Sequence, residues 1–125
     1  MEGKEPPQEI VQILFNALNS RDLSLLHGYL AEDSSFDFPG TGLIYGREKI
    51  LLFFKILFRK YRRLTFSVVT VITEEDRACA LWTNEGEDKL GKAYSNRGIT
   101  FLELKAGQII FLSDYFKDTS FVTGS

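Results

Sequence analysis

The residue best suited to moving a proton is Asp114, within the stretch FLSDYFKD from Phe111 to Asp118. It lies in what reads as the last buried strand, with Ile110, Leu112 and Phe116 at its own parity and Ile109, Phe111 and Tyr115 at the other. With both faces apolar, an ionised carboxylate there costs several kcal/mol unless it is paired, hydrogen-bonded or wet. Two settings meet that demand. On a pocket wall, desolvation lifts the carboxyl toward neutrality and equips it for acid–base exchange. At a strand end or bulge, backbone hydrogen bonds hold it instead.

Candidate companions come from the neighbouring strands. Trp82 and Asn84 share one parity, and so do Tyr94 and Asn96. Gly98 reads as a bulge that would turn Ile99 and Phe101 inward as well. An amide holds a carbonyl or a water without changing charge, which is how a mostly apolar cavity orients a ligand. Each also has a plainer reading: Trp82 as core with its N–H paired, Asn84 as a strand end, and Asn96 as an interior amide whose partners are protein groups. Tyr45, before the third helix, fits a cavity mouth or an exposed surface. Asp37 reads as solvent-facing, and His27, the only histidine, as exposed on a short helix.

Other chemistries find little footing. No second His or Cys stands at metal-ligand spacing, so no metal is expected. The chain contains no GxGxxG, Walker loop or GxSxG, so no nucleotide cofactor and no serine nucleophile is expected. Cys79 is the only cysteine; in RACALW it reads as a small buried apolar residue. Fifteen Lys and Arg against seventeen Asp and Glu give a net charge of -2, which argues against nucleic acid as a partner. The one basic run, FRKYRR from Phe58 to Arg63, reads as a solvated helix end. No apolar run is long enough to span a membrane, and the charged, proline-bearing start is unlike a signal peptide, so a cytoplasmic location is expected.

The elements that must position these residues are legible in outline. At 125 residues the chain suits one domain, and its eleven Phe and five Tyr imply an aromatic core, cavity or interface. Ile10, Ile13, Leu14, Ala17 and Leu18 fall at helical spacing after Pro6 and Pro7, ending near Asn19. Asp22 leads a short helix through Leu23, Leu26 and Tyr29, and Phe36 and Phe38 alternate in a strand stopped by Pro39 and Gly40. Gly46 starts a third helix, REKILLFFKILFRKY, apolar enough to be covered on more than one side. Four strand patterns follow, TFSVVTVIT, RACALWTNE, KAYSNRGITFLEL and QIIFLSDYF, and their short connections predict an antiparallel meander. The expectation is an α+β domain with helices on one sheet face and a homodimer through the other, where the strands are not cleanly half polar.

In order and spacing, ALNSRDLSLLHGYLAEDSSFDFPG, Gly46, LWTNEG, GKAYSNRGITFLEL and AGQIIFLSDYFKD resemble the nuclear-transport-factor-2-like superfamily. Within it they resemble the SnoaL-like branch of polyketide cyclases, related to steroid isomerases and limonene epoxide hydrolases. The resemblance covers nearly the whole chain, residues 1–125. It implies a cystatin-like cone, three N-terminal helices on the concave face of a strongly curved, mainly antiparallel sheet. Carried over residue by residue, the steroid isomerase's base and two oxyanion donors fall at Leu14, Phe38 and Ile99, so that machinery is lost. The resemblance further implies that Asp114 lines the cavity as general acid or base; Trp82, Asn84, Tyr94, Asn96, Tyr45 and Phe101 are the candidate companions, drawn from neighbouring elements, around a small apolar or polyketide-like ligand. Two functions follow as expectations: a cofactor-independent cyclase, isomerase or hydrolase, or a non-catalytic dimeric binding or association domain of the same fold.

Overall fold

The computed structural model describes residues 6–118. The first helix, α1 (Pro7–Ser20), begins where Pro6 holds an extended backbone and Pro7 takes the first helical position, for which its fixed φ is suited. Its buried stripe is Ile10, Val11, Leu14, Phe15, Ala17 and Leu18. The helix stops at Arg21, which adopts a left-handed backbone at φ 59 and folds its N–H back onto the Leu18 carbonyl. The Arg21 guanidinium then donates to the carbonyls of Phe58 and Tyr61, tying the end of α1 to a distant part of the chain.

A single turn, α2 (Ser24–His27), leads into β1 (Leu30–Phe38), followed by the short β2 (Gly42–Tyr45) and by α3 (Arg47–Phe58). The remainder is β3 (Tyr61–Glu74), β4 (Arg77–Asp88), β5 (Ala93–Lys105) and β6 (Gln108–Phe116). All six strands form one sheet in the order β2-β1-β6-β5-β4-β3, antiparallel except where β1 runs parallel to β6. The core lies between this sheet and α1 and α3, with Trp82, Phe15 and Phe36 among its largest fully buried side chains.

Several expectations need correction. The third helix ends at Phe58, and Tyr61 opens β3 opposite Asp88. Arg62 and Arg63 therefore lie on a strand, facing Glu87 at 3.9 Å and Glu85 at 2.7 Å, whereas Arg59 and Lys60 stay exposed at the end of α3 as the helix-end reading expected. Leu52 and Ile56 of α3 are exposed, so within this chain the helix is covered on one side. β2 falls in a stretch to which the sequence pattern assigns no element. Cys79 is half-buried, opposite Ile72 and Phe101 on the sheet face away from the helices.

The last strand resolves the two-sided apolar pattern around Asp114. Glu103 pairs with Phe111, but Leu104 pairs with Ile109, so Ile110 is an extra residue in β6. Across this bulge the parity inverts, and Ile109 and Leu112 both reach the core. After it, Leu112, Asp114 and Phe116 face the helices while Tyr115 points away. No helix of the described residues is long and apolar enough to cross a membrane.

Candidate functional site

Between α1, α3 and the inner sheet face lies a cavity with about 40 Å³ of space for the centre of a water molecule. By that measure it has room for a few waters or one slender apolar group. Its walls are largely aromatic. Phe38 meets Phe116 with ring centres 5.2 Å apart, Phe116 meets Trp82 at 5.7 Å, and Trp82 meets Phe66 at 5.1 Å. These edge-on contacts form one connected row of rings across four strands.

Asp114 lines this cavity from β6. Its Oδ1 accepts a hydrogen bond of 2.7 Å from the Thr100 hydroxyl, directly across from it on β5. Thr100 Oγ1 in turn accepts from the Trp82 indole N–H at 3.0 Å. The direction of this chain is fixed by chemistry. An indole N–H only donates, so Thr100 must accept from it and turns its own proton to Asp114. Oδ1 is thereby committed, and Oδ2 is the oxygen left to carry or exchange a proton. Burial pushes the Asp114 carboxyl up from 3.8 to about 7, with the Thr100 hydrogen bond opposing the rise.

A second polar group occupies another part of the same cavity. Asn84 is only 7% exposed, and its Oδ1 has no hydrogen-bond partner although it is buried. Beyond it stand Tyr61 and Tyr94, their rings 5.1 Å apart and both also lining the cavity. Burial raises the pKa of both phenols. Asn96 Nδ2 donates to the Tyr94 hydroxyl at 3.0 Å.

The fold thus brings together Asp114, Trp82, Asn84 and Tyr94 of the residues singled out in the sequence, and leaves three elsewhere. Asn96 is absent from the cavity lining. Its amide is spent on Tyr94, on the Asp118 carbonyl at 2.8 Å and on the backbone N–H groups of Arg97 and Asp118. Tyr45 sits on β2 at 65% exposure and is not among the residues lining the cavity. Phe101 packs against Phe111 on the outer face, because pairing between β4 and β5 continues without a break through Gly98. Gly98 has a different task. A Cβ there would stand 2.9 Å from Trp82 Cζ2 and 2.3 Å from the Tyr115 carbonyl oxygen, so the indole lies against bare backbone.

Thr100, Tyr61 and Phe116 are cavity residues that the sequence reading did not single out. Thr100 shares the parity of Tyr94 and Asn96, so an unbroken alternation through Gly98 would have found it. Of the positions matched to the isomerase machinery, Leu14 and Phe38 are apolar walls, and Ile99 is exposed on the outer face. Asp37 and His27 are exposed as expected, His27 lying 3.3 Å from Glu48.

Known structures share this architecture. A proposed SnoaL-like polyketide cyclase from Jannaschia sp. CCS1 superposes with a TM-score of 0.86 at 19% identity, over 98% of this chain and 96% of its own. A proposed polyketide cyclase from Xanthomonas campestris pv. campestris gives 0.84 at 22% identity over 94% of both chains. TerC, co-crystallised with polyporic acid, gives 0.83 at 16% identity over 94% of this chain and 95% of its own. At such identities the likeness is one of fold. No curated protein matches the chain. The SnoaL-like domain model, however, matches residues 11–112, and with that span the chain belongs to the SnoaL-like domain family.

Proposed function

We propose that the protein binds a small apolar molecule in the aromatic cavity and acts on it as a cofactor-independent cyclase, isomerase or hydrolase, with Asp114 as general acid and base. One observation carries this reading. A carboxyl at about 7 faces an apolar cavity, with one oxygen held by Thr100 and the other uncommitted. Near neutral pH such a group is present in both protonation states, the condition under which one residue can take a proton and return it. On a substrate with a carbonyl, Oδ2 removes a proton from the adjacent carbon and redelivers it after rearrangement or ring closure. The surrounding rings exclude water from the charged intermediate. The polyketide cyclase names of structural relatives agree with a polyketide-like ligand, and the setting proposed is the cytoplasm.

Exchange of the hydrogens beside the carbonyl of butanone, a ketone slender enough for this cavity, into heavy water, followed by proton NMR, tests the chemistry without knowledge of the natural substrate. Asp114→Asn should abolish the protein-dependent exchange and leave a folded chain. Undiminished exchange in that variant rejects the catalytic role.

A second reading is a non-catalytic dimeric binding or association domain. It is favoured by the small cavity and by Asp114 being the one acid that lines it among the described residues. Under that reading the wild-type protein gives no exchange above background while still forming a dimer.

A further inference from the structure

Asp114 turns its carboxyl into an apolar cavity and has no cationic partner there among the described residues. Of the elements packed around it, α1, β1 and α3 contribute only apolar walls to the cavity. Its other titratable groups are Tyr61 of β3 and Tyr94 of β5, phenols that burial keeps protonated near neutral pH. Nothing in the lining therefore offsets a negative charge on Oδ2. An acid so placed has shed most of its water during folding, and a cation that reaches it meets a carboxylate already stripped of solvent.

The walls suit a cation as well. Phe38, Phe116, Trp82 and Phe66 follow one another with ring centres between 5.1 and 5.7 Å apart and interplanar angles between 64° and 75°. Rings turned so steeply against their neighbours offer faces as well as edges, and the negative face of an aromatic ring, tryptophan's above all, attracts a cation. Size narrows the choice. At about 10–15 Å³ for each water centre, the cavity's 40 Å³ has room for about three or four water-sized groups, the bulk of an ion with four heavy atoms.

The count of acceptors narrows it further. Asp114 Oδ1 is taken by Thr100, whose own oxygen is taken by Trp82, so Oδ2 is the acceptor open at this end. The unpartnered Asn84 Oδ1 lies elsewhere, because Asn84 pairs with Asn96 rather than Thr100 and two strand spacings of about 4.8 Å separate β4 from β6. A methylammonium ion brings three N–H donors and would leave two of them buried without partners. A trimethylammonium ion brings one, and its methyl groups go to the rings.

We propose that the Asp114 end of the cavity is a cation site, which takes a small tertiary alkylammonium ion with its N–H on Oδ2 and its alkyl groups against Trp82 and Phe116. This goes beyond the proposed function, which concerns a neutral substrate of the same cavity. A cation engages the ionised carboxyl. Because burial raises that carboxyl to about 7, binding below that pH must displace a proton. Affinity therefore rises by up to about tenfold per pH unit from about pH 5 and levels off above about pH 7.

Trp82 is the only tryptophan in the chain, so its fluorescence reports occupancy of this site without any assay of turnover. Titrations with trimethylammonium chloride at constant ionic strength should show that rise and plateau. At about pH 8, methylammonium, tetramethylammonium and the neutral, similarly branched tert-butanol should each bind at least about tenfold more weakly, for the surplus donors, the missing N–H and the missing charge respectively. Asp114→Asn keeps the shape and removes the charge, so trimethylammonium should bind it no better than tert-butanol at any pH. Wild-type binding that ignores pH, equal binding of the four probes, a surviving preference in Asp114→Asn, or no binding at all overturns the cation site. The wild-type pH profile and probe series decide even if the variant does not fold. Butanone exchange is read separately: its absence with trimethylammonium bound removes the proposed chemistry and leaves the cation site, and exchange without trimethylammonium binding does the reverse. Where both occur, trimethylammonium should suppress the exchange, and exchange untouched at saturation overturns the site.

Discussion

Thr100 and Asp114 face each other across β5 and β6, and the threonine hydroxyl donates to Asp114 Oδ1 at 2.7 Å. Because Trp82 donates into the same hydroxyl oxygen, the threonine proton has one direction in which to point. Thr100 is thus a positioning residue that fixes which carboxyl oxygen is available and restrains the rise in its pKa. Among the described residues no charged side chain from α1, α3 or the other strands lines this cavity, and Tyr61 and Tyr94 are its other titratable groups.

Replacing Thr100 by Val removes the donor and keeps the shape. The Asp114 carboxyl should then titrate above about 7, because the one contribution holding it down is gone. Thr100→Ser should leave it near the wild-type value. Carbon-13 NMR of labelled aspartate side chains reads the titration directly, and a Val variant that titrates at or below the wild-type pH would remove Thr100 from this role.

Asp114 also imposes a pH dependence on stability. Between about pH 4 and pH 7 the folded chain retains a proton that the unfolded chain has lost, since burial raises the carboxyl from 3.8 to about 7. Unfolding therefore releases a proton in that window, and stability falls as pH rises, by at most ~1.4 kcal/mol per pH unit from this group, levelling off above about pH 7. Asp114→Asn should lack this component, so the urea midpoint of wild type relative to the variant declines across the window. Parallel profiles for the two proteins would mean that Asp114 titrates as an ordinary exposed carboxylate.

Gly98 supports the same chain from below. A methyl group at that position meets Trp82 Cζ2 at 2.9 Å and the Tyr115 carbonyl oxygen at 2.3 Å, so Gly98→Ala must displace both ring and backbone. Destabilisation of about 1–3 kcal/mol is expected, as for other over-packed interiors. The indole should also leave Thr100, which a change in the Trp82 N–H chemical shift would register. An unchanged shift together with unchanged stability would contradict the seat assigned to Gly98.

The outer sheet face carries a row formed by Leu81, Ile99 and Tyr115 on adjacent strands, with Val69 beside it and Tyr115 62% exposed. Apolar area of this kind is commonly covered by a partner, and a second copy of the chain is the partner proposed. Sedimentation velocity at micromolar concentration should give a dimer that Ile99→Lys reduces to monomer. A wild-type monomer under those conditions rejects the proposal.

Helical spacing located α1 and α3, period-two alternation located β3 to β6, and the QIIFLSDYF pattern matched β6 from end to end. These features were legible because they are local, arising from side-chain periodicity and from turn residues within a few positions. The conspicuous oddity of a carboxylate among apolar neighbours was equally visible at Asp114. What the linear pattern could not contain was the phase of each strand against its neighbours. The extra residue at Ile110 inverts the faces of β6, and unbroken pairing at Gly98 sends Phe101 outward and Thr100 inward. Tyr61, read as the tail of a helix, became a cavity wall because β4 offered it a partner at Asp88. Hence composition and periodicity determined which elements form, whereas pairing between strands far apart in sequence decided which side chains share the cavity, since a shift of one residue in register moves a side chain to the opposite face.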